Sequence, residues 1–145
     1  MEWYRSYSVV TAAAPEEIYR RWTDIGTWAE DDADLEWVRV DGPVRVGATG
    51  KVKTGGPAQR ITFTELVPGR VMNFEIRLPG ATLSFPHAIE ELPEGIRVTH
   101  GVRFLGPLAT VFGFVAGRKI ALGLPLVVRT VADRAFAAGQ AAVDS

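Results

Sequence analysis

The 145-residue chain contains no cysteine. That removes thiolate nucleophiles, iron–sulfur clusters, thiolate zinc sites and disulfide frameworks from consideration. With only two histidines, His87 and His100, a three-histidine metal site is excluded as well. An excess of either charge is also lacking, since sixteen basic residues face seventeen acidic ones for a net charge of −1. Such a chain has too little cationic excess to bind nucleic acid by releasing counterions. No uncharged apolar run reaches the roughly 18 residues of a membrane span. The longest candidate, 104–136, is interrupted by Arg118-Lys119, Pro125 and Arg129. Residues 1–6 lack the basic-then-apolar order of a signal peptide, so a cytoplasmic location is expected. Without repeats, low-complexity tracts or linkers, the chain reads as a single domain over 1–145. A domain of this size buries about two-thirds of its unfolded surface and needs no metal or disulfide to hold it.

What is present is clear alternation followed by helical spacing. Residues 2–11 alternate as a strand. Ala14-Pro15-Glu16-Glu17 opens a helix, with proline in the first turn and acidic residues at the positive end of the dipole. A second short helical or turn segment is expected over 24–28. From residue 35 onward, runs at 35–40, 47–54, 59–66, 71–78, 82–91 and 96–104 are separated by turn residues such as Asp41-Gly42-Pro43 and Pro68-Gly69. Spacing of this kind predicts an antiparallel sheet in hairpin order. Pro86 inside one run points to an edge strand or a bulge there. After Gly106-Pro107 the apolar residues fall at helical spacing. Pro125 predicts a kink dividing that helix into two stretches, and the tail after Ala138 is expected to fray. An α+β fold follows: a curved antiparallel sheet of about seven strands wrapped around a long C-terminal helix, with two short helices after the first strand. Curvature of this sort leaves room for a cavity between sheet and helix.

Three stretches carry a family resemblance: Ala14-Pro15-Glu16-Glu17-Ile18-Tyr19 with Trp28 following, Glu94-Gly95-Ile96-Arg97-Val98-Thr99-His100, and Phe104-Leu105-Gly106-Pro107-Leu108. With this layout, the chain resembles the START-like (SRPBCC) superfamily of helix-grip proteins, and within it the bacterial polyketide cyclase/dehydrase-like branch. The resemblance spans nearly the whole chain and implies a cavity for a hydrophobic ligand. Its members range from carriers to cyclases, so the fold leaves the activity open.

The histidines are the most informative polar residues. Closing the hairpin through Leu92-Pro93-Glu94-Gly95 pairs Glu91 with Ile96 and sets His87 opposite His100. A one-residue slip would turn the two apolar faces to opposite sides of the sheet. Two imidazoles on an apolar concave face either bind the polar end of a ligand, act as acid and base, or merely satisfy each other. The expected ligand-binding set is Trp28, Trp37, Met72, Phe74, Ile76, Phe85, His87, His100, Val102, Phe112, Val115 and Lys119. Of these, His87 and His100 are the candidate catalytic residues. Lys119 either binds a carboxylate, forms a Schiff base if desolvated, or runs its stem along apolar surface into water. The acidic stretch Glu30, Asp31, Asp32, Asp34 and Glu36 lacks the EF-hand pattern and reads as a solvated loop at the cavity mouth. Gly47-Ala48-Thr49-Gly50-Lys51 lacks phosphate-loop spacing, and no serine sits in a nucleophile elbow.

The expected partner is therefore a small hydrophobic ligand, with no cofactor, metal, nucleic acid or membrane span. The alternatives are a cyclase/dehydratase enzyme using the histidines, and a protein-interaction module. The apolar tail 135–142 would suit a homodimer contact.

Overall fold

A computed structural model of the protein describes residues 1–144. Strand β1 (Glu2–Thr11) leads into helix α1 (Pro15–Thr23), a 3-10 turn (Ile25–Thr27) and the single-turn helix α2 (Trp28–Asp31). Six strands follow: β2 (Trp37–Val40), β3 (Thr49–Lys53), β4 (Gln59–Val67), β5 (Val71–Leu78), β6 (Ala81–Leu92) and β7 (Gly95–Leu105). All pair antiparallel in one seven-stranded sheet of order β1-β7-β6-β5-β4-β3-β2. The chain closes with helix α3 (Ala109–Phe112), a π-helical turn (Gly113–Gly117) and helix α4 (Arg118–Asp144). Helix α4 lies against β1, β7 and α1. This is the helix-grip arrangement.

Each element has a local cause. In α1, Pro15 fills the first turn, and Ile18 and Trp22, four residues apart, are buried together. Asp24 then accepts a hydrogen bond from the Gly26 amide at 3.1 Å and caps the 3-10 turn. The β4–β5 hairpin turns at Gly69, whose φ of +72° suits glycine. A register shift in β4 between Phe63 and Glu65 supplies a bulge that bends the sheet. The completely sealed core includes Ile18, Ile61, Phe63, Val98, Phe104 and Val128, drawn from α1, strands β4 and β7, and α4.

Three expectations about backbone irregularities are corrected. Pro86 sits neither at an edge nor at a bulge, because β6 is an interior strand. Ser84 pairs with Arg103 and His87 with His100, three residues apart on both strands, so nothing is inserted between them. The proline is accommodated because Gly101 faces it. A Cβ on Gly101 would lie 3.0 Å from the Pro86 ring and 3.0 Å from the Tyr4 ring. Pro125 does not divide the C-terminal helix into two stretches, since α4 runs through it as one element, and the helix continues to Asp144 instead of fraying after Ala138.

The irregular segment is instead the π-helical turn Gly113–Gly117. Its two terminal glycines straddle the indole of Trp3 on β1. A Cβ at Gly113 would fall 2.3 Å from Trp3 Cγ, and one at Gly117 2.5 Å from Trp3 Cζ3. The wide turn and the bare glycines together let the helix seat directly on that ring. Replacing Gly113 with alanine is expected to destabilise the fold by about 1–3 kcal/mol through overpacking. Urea unfolding checks this, with Trp3→Leu in the same chain expected to recover part of the loss.

Helix length and apolarity also exceed the expectation. Ala109–Asp144 forms 36 residues of helix with an 18-residue window of mean hydropathy 1.7, long and apolar enough by composition to cross a membrane. In the fold, one face of it belongs to the core through Leu124, Val128, Val131 and Ala135.

Candidate ligand-binding cavity

Between the concave face of the sheet and the helices lies a cavity of about 820 Å³. The strand period decides which side chains reach it. Met72, Phe74 and Ile76 of β5 alternate into it, and Phe85 and His87 of β6 and His100 of β7 join them. Trp28 of α2, with Phe112, Val115 and Lys119 of the C-terminal helix, completes the expected residues that border it. Two expected residues do not. Trp37 lies outside, 37% exposed on the short strand β2 with the Arg39 guanidinium 5.4 Å from its ring centroid. Val38 and Val40 take the inward positions there and pack on the core. Val102 shares the concave face with His100 but is fully sealed within the core, where it borders no cavity.

The walls form a continuous run of rings. Trp28 and Phe74 have centroids 5.0 Å apart, and Phe74 stacks on Phe85 at 4.9 Å with planes 24° from parallel. Phe74 also meets His87 at 6.0 Å, and the two imidazoles approach to 4.3 Å. Trp22 of α1 sits edge-on to both imidazoles, 5.2 Å from His87 and 5.5 Å from His100. A flat molecule sliding between such faces would find offset-stacking partners on several sides.

Hydrogen bonds set the protonation pattern of the imidazole pair. His87 Nδ1 lies 2.7 Å from the Phe85 carbonyl oxygen. A carbonyl only accepts, so His87 carries its proton on Nδ1. The Trp22 indole N–H donates to His100 Nε2 at 3.0 Å. An indole N–H only donates, so His100 Nε2 is unprotonated, and the neutral ring carries its proton on Nδ1. Burial pushes the His87 pKa down to about 4, opposed by the carbonyls of Phe85 and Met72. Burial also pushes His100 well below the ordinary imidazole range, and the neighbouring His87 adds to this. Both rings are therefore neutral at pH 7 and not standing imidazolium, and the one basic nitrogen of His100 is already taken up by Trp22.

Trp22 was legible only in part. Its place on the apolar face of α1 marks it as buried, whereas its bond to a residue 78 positions away depends on how α1 docks.

At the rim Glu30, Asp34 and Glu36 of the acidic stretch are exposed, and Asp31 is the exception. Asp31 is 7% exposed. Arg21 of α1 donates to it from Nε at 2.8 Å and from Nη2 at 2.7 Å, and Arg134 of α4 donates from Nη1 at 3.1 Å. One carboxylate thus ties α1, α2 and α4 together. Its hydrogen bonds are the main cause raising the Arg21 pKa further. Burial raises the Asp32 pKa as well, the amide of Asp34 opposing it. Asp32, Asp34 and Glu36 do border the cavity. Among the described residues no group of three or more histidine, aspartate or glutamate side chains is placed to hold a metal ion. Lys119 is exposed at the rim, without the desolvation a Schiff-base lysine requires. Its position suits pairing with an acidic group at the mouth.

No protein-family model matches the chain, and no curated protein matches it. Solved structures do. The di-domain ARO/CYC protein StfQ from the steffimycin biosynthetic pathway aligns with a TM-score of 0.75 at 13% identity, over 98% of this chain and 52% of that one. The chain thus spans about half the length of that two-domain protein. Truncated norcoclaurine synthase from Thalictrum flavum aligns with a TM-score of 0.70 at 9% identity, covering 91% of this chain and 92% of its own. Protein CV1439 from Chromobacterium violaceum gives 0.65 at 18% identity, covering 91% and 96%. At these identities the likeness is one of fold.

Proposed function

We propose, taking the START-like helix-grip fold as the premise, that the protein carries or sequesters a small, largely apolar molecule with an aromatic portion and one hydrogen-bonding group. The observation that carries this reading is the ring-lined cavity of about 820 Å³, within the range of drug-sized ligand sites. Its apolar rings supply affinity by excluding water, and the neutral imidazoles supply a directional polar contact. Fold neighbours lend support: a norcoclaurine synthase structure from Thalictrum flavum holds dopamine and hydroxybenzaldehyde, both flat and aromatic.

The test uses 2-naphthol, an uncharged aromatic probe. Its binding should saturate at one molecule per chain and quench tryptophan fluorescence, because Trp22 and Trp28 border the cavity. Ala116 faces the same space from the helix. An Ala116→Phe variant that keeps its circular dichroism should lose at least tenfold in probe affinity. Unchanged binding in that folded variant would overturn the cavity as the site.

The paired imidazoles favour one second reading, a cyclase or dehydratase in which His87, or His100 once Trp22 releases its Nε2, takes a proton from a carbonyl-activated carbon. A neutral imidazole can act as the base in such a step. With the His87 pKa at about 4, its activity should persist down to mildly acidic pH and fall only as that ring protonates. A pH–rate profile unmoved by His87→Gln and by His100→Gln would exclude both as the base.

A further inference from the structure

The C-terminal helix buries one face and leaves another bare. Val111, Phe114, Val115, Leu122 and Leu126 recur at intervals of three, four or seven residues, and their exposures run from 55% at Val111 to 83% at Leu122. Only 22% of the most apolar 18-residue window of this helix is buried. Single exposed apolar residues are ordinary, but a row along four turns of one helix is a patch. The stripe adjoins the cavity, since Val115 borders both and Ala116, Lys119 and Gly123 line the cavity beside it.

Charge selects the occupant. From Gly95 to Ala132 the sequence has no aspartate or glutamate, while the helix carries Arg118, Lys119 and Arg129. The Arg118 guanidinium lies 5.6 Å from the Phe114 ring centroid, within the stripe itself. Arg129 donates to the Tyr7 hydroxyl at the stripe's far end. The Asp34 carboxylate faces Gly123 on the cavity side. In a two-fold contact centred on the stripe, Arg118 and Lys119 would meet their equivalents, and the only carboxylate the helix places near that face is Asp133, beyond Arg129. An anionic lipid surface suits both halves of the pattern, taking the apolar side chains below the headgroups and the cations among them.

We propose that this face of the C-terminal helix is a docking surface for anionic lipid bilayers. The helix lies in the interface without crossing it, because its opposite face is held in the protein core. The proposal goes beyond ligand carriage and stands or falls apart from it.

Flotation with phosphatidylcholine vesicles containing about a third phosphatidylserine tests it, beside vesicles of phosphatidylcholine alone. The expected results are at least tenfold stronger partitioning onto the anionic vesicles, weakening with salt, and at least tenfold loss in the double variant Phe114→Ser, Leu122→Ser. Neither residue borders the cavity, so 2-naphthol binding by that variant reports separately on the cavity and on folding. Failure to float with anionic vesicles at low salt would overturn the proposal. So would equal flotation of the double variant, or a dimer in sedimentation velocity that the double variant abolishes.

Discussion

Asp31→Ala is expected to destabilise the protein by about 3 kcal/mol, and to lower its melting temperature by roughly 10 °C for a domain of this size. The carboxylate is almost sealed, and three charge-assisted hydrogen bonds of 2.7–3.1 Å converge on it. Removing it leaves the Arg21 guanidinium, whose side chain is only 15% exposed, with just the longer 3.4 Å contact to the exposed carboxylate of Glu30. A poorly compensated, largely buried charge, more than the lost attraction, dominates the penalty. Arg134 contributes less, because its side chain is 47% exposed and well solvated. Arg134→Ala should therefore cost about 1 kcal/mol or less. A double-mutant cycle between Arg21 and Asp31, followed by urea unfolding, checks the assignment. Equal losses for Asp31→Ala and Arg134→Ala would show that the clasp is merely a surface ion pair.

Strand pairing was the part most open to reading from sequence, and the reason is parity. Alternation in 82–91 and 96–104 leaves two registers that keep the apolar faces together. The short loop at Pro93-Glu94 selects the one with His87 opposite His100, as the structure has it. Trp37 was harder because β2 has four residues, too few for alternation to separate Trp37 and Arg39 from Val38 and Val40. Asp31 was misread because its partners, Arg21 of α1 and Arg134 of α4, lie 10 and 103 residues away and meet it only when those helices dock. The π-helical turn was hidden for a similar reason. Helical periodicity absorbs Gly113 and Gly117 as ordinary small residues, although their four-residue spacing was the available sign of a close approach. The ring that occupies it, Trp3, lies at the other end of the chain. Local period thus reveals strand faces and helix length, and misses contacts made only when separate elements dock. The cavity's rings belong to the first class, while the Trp22–His100 bond and the Asp31 clasp belong to the second.

The imidazole pair should make the protein acid-sensitive well above the range where most carboxylates titrate. In the unfolded chain both histidines take up protons near pH 6.5, whereas in the native state His87 does so only near 4. The unfolded state therefore binds more protons as pH falls, and stability present above pH 6.5 drains away down to about pH 4. For His87 the full loss is about 3 kcal/mol, from a separation of about 2.5 pH units at 1.36 kcal/mol each. His100 acts in the same direction, because protonating its Nε2 would break the bond from Trp22 and place charge beside His87. Asp32 works the other way, since a carboxyl whose native pKa is raised gains relative stability as it protonates. That contribution remains when the histidines are replaced, so it cancels in a comparison of variants. Glutamine at both positions keeps an acceptor for Trp22 and a donor for the Phe85 carbonyl without titrating. Urea unfolding of the wild type and of the His87→Gln, His100→Gln double variant at pH 7.5, 5.5 and 4.5 should show the wild type losing at least 2 kcal/mol more across that range. Parallel losses in the two proteins would mean that the imidazoles are solvated and charge freely, leaving the cavity without the dry polar contact that its ligand would use.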